Sequence, residues 1–215
     1  DELENIKDRK DKILGRLYSR KLESLLRLED NYLCRCSCCS KIFTTSQQYW
    51  SVCHKAKVHF NFHGEAICLH EMDKKWNVHN YFINLRQTMS WREIYWKIWG
   101  ITTSFHCVKC KQNFIATELE HCAYHKFSPV FEKNSNTGCY PCCNEKVLKF
   151  DTSGSVITRG CCSRLHTVSD SESNSAEYQT MMRRQQEILV PFHSVTGKLP
   201  QSNVLFSDEE TKHFV

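Results

Sequence analysis

The sequence predicts an α+β protein made of small zinc-stabilised units, with short β-hairpins, a few helices and amphipathic helices at the flanks. Three observations predict this. Fourteen cysteines and eleven histidines are spread through 215 residues. Cys-x2-Cys and Cys-x2-His spacings recur, which let one tight turn present two donors to one ion. Apolar residues recur at helical spacing in some stretches and alternate in others. So many cysteines suit either a disulfide framework or metal sites. The interspersed histidines and the knuckle spacings favour metal, and with it an intracellular, reducing compartment, nuclear or cytoplasmic. The chain opens Asp1-Glu2-Leu3-Glu4 without an apolar leader, and no apolar run approaches the roughly 20 residues of a spanning helix.

Residues 1–33 read as an amphipathic helix or connector. Ile6, Ile13, Leu14, Leu17, Tyr18, Leu22, Leu25 and Leu26 form one stripe at three- and four-residue intervals, and Asp8, Lys12 and Arg16 alternate on the outer face.

Residues 34–100 form a Cys/His-rich hairpin followed by two helices. Cys36-x2-Cys39 reads as a knuckle leading into a strand at Lys41-Ile42-Phe43, with Cys53 as third ligand. Val58 to Phe62 and Ala66 to His70 read as paired strands around a turn at His63-Gly64-Glu65. The fourth ligand is then His63, Cys68 or His70, with the two histidines preferred; Cys34 and Cys38 stand outside the set. Asn77 caps a helix carrying Val78, Tyr81, Phe82, Leu85 and Met89. Ser90-Trp91-Arg92-Glu93 is a capping box that opens a second helix, which ends at Gly100. Trp96 and Trp99 lie off its Trp91–Ile94–Tyr95–Ile98 stripe and are expected to wedge between sub-lobes.

Residues 101–168 hold eight further donors. The simplest pairing is sequential: Cys107, Cys110, Cys122 and His125 on one zinc ion, and Cys142, Cys143, Cys161 and His166 on a second. Adjacent cysteines on one ion demand an unusual turn, so an interleaved pairing remains open. With the site around Cys36 and Cys39, two and up to three zinc ions are expected. Residues 169–175 read as an acidic, serine-rich linker, 176–190 as a helix with Tyr178, Met181, Met182 and Ile188, and 191–215 as a disordered tail.

The run Cys107, Cys110, Phe114, Cys122-Ala123-Tyr124-His125, Pro129-Val130-Phe131, Cys142-Cys143, Phe150, Gly160-Cys161 and Leu165-His166 resembles the cysteine- and histidine-rich domain called CHORD. That resemblance implies two zinc ions and a protein-interaction role, including docking to a heat-shock chaperone. The first knuckle is shorter than the family's, and Lys126 stands where proline and glycine are expected, so the chaperone contact is not carried over. More widely, Trp91-Arg92-Glu93-Ile94-Tyr95-Trp96, Ile98-Trp99-Gly100, Cys107-Val108-Lys109-Cys110, Tyr140-Pro141-Cys142-Cys143-Asn144 and Lys146-Val147-Leu148 are similar to the C-terminal region of the SANT-and-BTB-domain regulators associated with class-switch recombination. This implies a larger regulatory protein, with oligomerisation through a domain outside this sequence.

Charge weighs against a nucleic-acid footprint. The net charge is +5, and residues 34–168 hold 17 basic and 9 acidic residues. Each Cys3His zinc site is itself net −1, so two or three of them lower that excess to about +6 or about +5. A zinc deaminase signature fails, because Cys142-Cys143 lacks a following cysteine at the required spacing. A RING-type ligase fails because no cysteine follows His125 before Cys139. A non-catalytic protein-interaction module is the expectation, ahead of nucleic-acid binding and ubiquitin transfer.

Overall fold

A computed structural model describes residues 13–62, 66–133, 135–149 and 160–189. Ile6, Asp8, Lys12, the His63-Gly64-Glu65 turn, Phe150 and the tail 191–215 lie outside the described residues. Among the described residues the architecture is α+β: six helices and eleven strands of two or three residues, all paired antiparallel in four two-stranded sheets and one three-stranded sheet. Strands this short bury little surface by themselves, so the fold relies on its helices and on its Cys/His clusters.

Helix α1 (Ile13–Leu26) turns Tyr18 and Leu22 inward. It leads to the hairpin β1 (Leu33–Arg35) and β2 (Ile42–Thr44), whose register pairs Leu33 with Thr44. A smaller hairpin follows, β3 (His59–Phe60) with β4 (Ala66–Ile67), shorter than the alternation of residues 58–70 suggests. Asn77 caps α2 (Val78–Arg86), its side-chain oxygen accepting from Asn80 N–H at 3.0 Å. Met89 falls beyond that helix but is buried.

The capping box at Ser90 is formed: Glu93 Oε2 accepts from Ser90 N–H at 2.7 Å, and Ser90 Oγ accepts from Glu93 N–H at 3.3 Å. The helix it opens, α3 (Trp91–Thr102), runs past Gly100. That glycine serves close packing rather than termination. A Cβ there would lie 2.6 Å from Ile188 Cγ2 and 2.9 Å from Thr117 Cγ2.

Helix α3 is the centre of the molecule and is buried on two faces. Ile94, Ile98 and Ile101 pack with Leu22, Leu33, Ile42, Leu85 and Met89. Trp96 and Trp99, each 8% exposed, pack on the other side with Phe105, Phe114, Leu119, Val168, Met181 and Ile188. Two apolar faces on one helix explain why its tryptophans fall off the first stripe: they belong to a second core.

Beyond α3 come β5 (Ser104–His106) with β6 (Asn113–Ile115), then β7 (Cys122–Tyr124), which pairs with the distant β11 (Cys162–Arg164). Between these last two the chain builds a separate sheet, in the order β10 (Lys146–Leu148), β9 (Thr137–Cys139), β8 (Val130–Phe131). The serine-rich stretch after His166 folds into a one-turn helix, α4 (Asp170–Ser173), because Ser169 Oγ caps Glu172 N–H at 3.3 Å. Glu172 Oε1 in turn accepts from His106 N–H at 3.2 Å. Helices α5 (Ala176–Arg183) and α6 (Gln185–Ile188) follow, broken at Arg184. They press Met181 and Ile188 onto α3 and are tied to it by Arg92, which donates to both carboxylate oxygens of Glu187 at 2.9 and 3.2 Å.

Candidate metal centres

Three groups of four donors come together among the described residues, each within 4.8 Å: Cys36, Cys39, Cys53 and His70; Cys107, Cys110, Cys122 and His166; His125, Cys142, Cys143 and Cys161. Each can hold a metal ion. The separations are those of a coordination tetrahedron. Metal–sulfur and metal–nitrogen bonds of about 2.3 and 2.0 Å give edges of about 3.8 Å between sulfurs and about 3.5 Å between sulfur and nitrogen. The observed Sγ–Sγ distances are 3.8 Å (Cys36–Cys53), 3.7 Å (Cys107–Cys122) and 3.5 Å (Cys142–Cys161). Histidine Nδ1 lies 3.4 Å from Cys39 Sγ for His70, 3.6 Å from Cys110 Sγ for His166, and 3.6 and 3.5 Å from the Cys142 and Cys143 sulfurs for His125.

The first two centres are built alike. In each a hairpin turns through Cys-x2-Cys: Cys36 N–H donates to Lys41 O and Cys107 N–H to Gln112 O, both at 2.9 Å. The residue after the second cysteine takes positive φ, 64° at Ser40 and 61° at Lys111. Phenylalanine follows at the same spacing, Phe43 and Phe114, and stacks on the ligand imidazole, with centroids 5.1 Å from His70 and 4.0 Å from His166. The residue after each histidine accepts from the residue after the first cysteine, as Ser37 N–H to Glu71 O at 2.9 Å and Val108 N–H to Thr167 O at 2.8 Å. The chain thus contains two copies of one unit. The shared string Cys-x2-Cys-x3-Phe at 36–43 and 107–114 is the sequence signal for it.

The third centre uses the same turn with one donor displaced. Tyr140 stands where the first cysteine stands elsewhere, its N–H donates to Glu145 O at 3.0 Å, and Asn144 carries the positive φ of 59°. The Tyr140 ring stacks on His125 at 3.5 Å. Cys142, one residue before the usual second cysteine position at Cys143, supplies the extra donor, which is how adjacent cysteines serve one centre.

The sequential pairing of the eight C-terminal donors is overturned by this geometry, which is interleaved: His166 joins Cys107, Cys110 and Cys122, and His125 joins Cys142, Cys143 and Cys161. The reason is the local conformation of Cys122-x2-His125. Its first three residues form strand β7 and His125 follows directly, so there is no turn, and at about 3.3 Å per residue its two ends stand about 10 Å apart. Antiparallel pairing with β11 sets Cys122 opposite Arg164 and Tyr124 opposite Cys162. One end of the ladder therefore delivers Cys122 with His166, and the other His125 with Cys161. Gly160 permits the approach, since a Cβ there would lie 2.0 Å from Tyr124 N.

At the first centre His70 completes the set. The following segment is fixed against β1 by Asp73 N–H donating to Arg35 O at 2.8 Å and by an Arg35–Asp73 ion pair. Cys68 is turned away and donates to Cys53 O at 2.8 Å, and His63 lies outside the described residues. Cys34 and Cys38 belong to none of the three groups.

Electrostatics suits a cation at these positions. Burial, with Lys41 adding for His70, pushes His70 and His166 down to about 4, so both are neutral donors near pH 7. Burial works to raise Cys36 and Cys107, but backbone N–H groups pointing at their sulfurs outweigh it and lower both. Their partners Cys39, Cys110 and Cys122 are pushed up by burial and by the neighbouring thiols, Cys39 to about 12. Thiols this close cannot all ionise without a positive charge between them, which a divalent ion supplies. The ion pair of Lys41 with Glu118 joins the two copies beside these centres.

No described helix is long and apolar enough to cross a membrane. No protein-family model and no solved structure matches the chain.

Proposed function

We propose that this chain is a zinc-stabilised protein-interaction module of a larger regulatory protein, carrying three structural zinc ions and no catalytic centre. The observation that carries this reading is the closure of the three donor sets. Each offers three cysteine sulfurs and one imidazole within 4.8 Å of one another, the donor type that structural Zn2+ takes. The residues present fit the ion well. His70, His166 and His125 are oriented by stacked rings, and Lys109 and Thr167 N–H groups each reach Cys107 Sγ at 3.4 Å. A catalytic zinc keeps an open position for water or substrate, whereas four protein donors fill the tetrahedron. The ions then act by fixing short hairpins into defined surfaces, and the work of the module is done by those surfaces. The resemblance to CHORD modules supports the same class of role.

Metal analysis of the chain purified without added zinc should give three equivalents. Affinity purification should retain protein partners from the zinc form and lose them with a chelator. Fewer than one equivalent, or paired disulfides after thiol blocking, would refute the reading. Retention of DNA with steep salt dependence, or autoubiquitination, would replace it.

A further inference from the structure

The three centres are not equally protected. Cys36 is 1% exposed, and Cys53, Cys107 and Cys122 are 0% exposed. These thiols are members of the apolar clusters that hold the two repeated units together. At the third centre Cys143 and Cys161 are exposed and His125 and Cys142 are half-buried, and among the described residues none of its thiols joins a buried apolar cluster. It sits instead between a turn of the small β8–β9–β10 sheet and the entry to β11. Its sulfurs are close enough to react with one another, Cys142 Sγ lying 3.5 Å from Cys161 Sγ.

We infer that the third centre is an oxidation site, at which a peroxide joins Cys142 to Cys161 and expels the metal from that centre alone. This rests on the zinc reading given above. The exposed Cys161 thiolate attacks one peroxide oxygen, breaking the O–O bond to give a sulfenic acid and, with a proton, water. The Cys142 thiolate then attacks the Cys161 sulfur. The S–S bond forms and the S–O bond breaks, and hydroxide leaves and is protonated to a second water. Two sulfurs lose one electron each and the two peroxide oxygens gain them. Two of the four donors are thereby removed, leaving one thiolate and one imidazole, too few to hold the ion. Exposure decides which centre reacts, because peroxide must reach the sulfur and the thiols of the repeated units are shielded.

Cys162 offers a competing partner, with its sulfur 3.8 Å from that of Cys161. Adjacent residues, however, have Cα atoms only about 3.8 Å apart, below the roughly 4.4 Å at which ordinary disulfides begin. Adjacency therefore excludes Cys162, which stays paired in β11; Cys143, the remaining thiol of the centre, also lies within 4.8 Å, and a first linkage through it would overturn the assignment to Cys142.

The test uses the full chain loaded with zinc, treated with graded hydrogen peroxide in the presence of a chromogenic zinc chelator, and then alkylated and mapped by mass spectrometry. The first phase should release one of three equivalents and form a Cys142–Cys161 linkage, while Cys36, Cys53, Cys107 and Cys122 stay blocked from alkylation. Reductant with added zinc should restore the metal. The Cys162→Ser variant should behave the same. Release of all equivalents together, release of none, a first disulfide elsewhere, or loss of the phase in Cys162→Ser would overturn the inference. Fewer than one equivalent before peroxide is added would instead overturn the zinc reading beneath it, and absence of metal from the third centre alone would overturn the inference.

Discussion

Replacing His166 and replacing His125 separately should have opposite footprints, because the two histidines serve different centres despite their sequence neighbours. His166 is 8% exposed and stacks on Phe114 with an interplanar angle of 5°. Cys107 and Cys122, its partners, lie in the same cluster as Trp96, Trp99 and Ile188. On the zinc reading proposed above, His166→Ala removes the fourth donor from a buried centre, and with it part of an apparent metal-binding energy of about 10–16 kcal/mol. It also forfeits a ring stack worth about 0.5–1.5 kcal/mol. A whole domain has only about 5–15 kcal/mol of net stability, so losing even half of the metal term should melt the core on the α5–α6 side of α3. His125→Ala removes a donor from a centre outside the apolar clusters, so it should cost one metal equivalent and leave that core folded. The assay is alkylation of the zinc-loaded chain followed by peptide mapping, with amide exchange on α3. In His166→Ala the thiols of Cys107, Cys110 and Cys122 should become reactive and α3 should lose protection. In His125→Ala only Cys142, Cys143 and Cys161 should open. If His125→Ala exposed Cys107 and Cys110 instead, the interleaved geometry would be wrong.

Gly160→Ala should lower metal content by one equivalent without altering the thermal transition of the core, because a Cβ 2.0 Å from Tyr124 N forces β11 away from β7 just before Cys161; unchanged metal content would refute this. Gly100→Val should destabilise by about 1–3 kcal/mol in urea unfolding, since its side chain meets Ile188 and Thr117 in a filled interface. A neutral result would mean that α6 is free to shift. Acid should weaken the fold: His70 and His166 have folded values near 4 against an ordinary 6.5. The unfolded chain therefore binds more protons, and the stability present above pH 6.5 is lost as pH falls toward 4. The urea midpoint should be lower at pH 5 than at pH 7.5, and a rise would contradict the burial of these rings.

The sequence by itself determined which residue types could gather metal and where the helices begin. Cys-x2-Cys is a local instruction, since two donors three residues apart meet whenever the chain turns there, and the capping box at Ser90 closes within one helical turn. The α+β class also follows locally, from periodicity and spacing. Long-range partnership does not. Cys122-x2-His125 looks like a knuckle, yet the same spacing on an extended strand points its donors to different donor groups, and the pairing of β7 with β11 sets that conformation. His70, Cys68 and His63 were equivalent by spacing; the closure of residues 70–73 along β1 turns His70 inward and Cys68 away. Gly100 reads as a helix stop because glycine often ends helices, but α6, arriving from near the far end of the described chain, makes it a contact point and lets α3 continue. Only the tertiary structure could decide these matters, because the energy of a strand pair or a packed face belongs to two segments that neither sequence window contains.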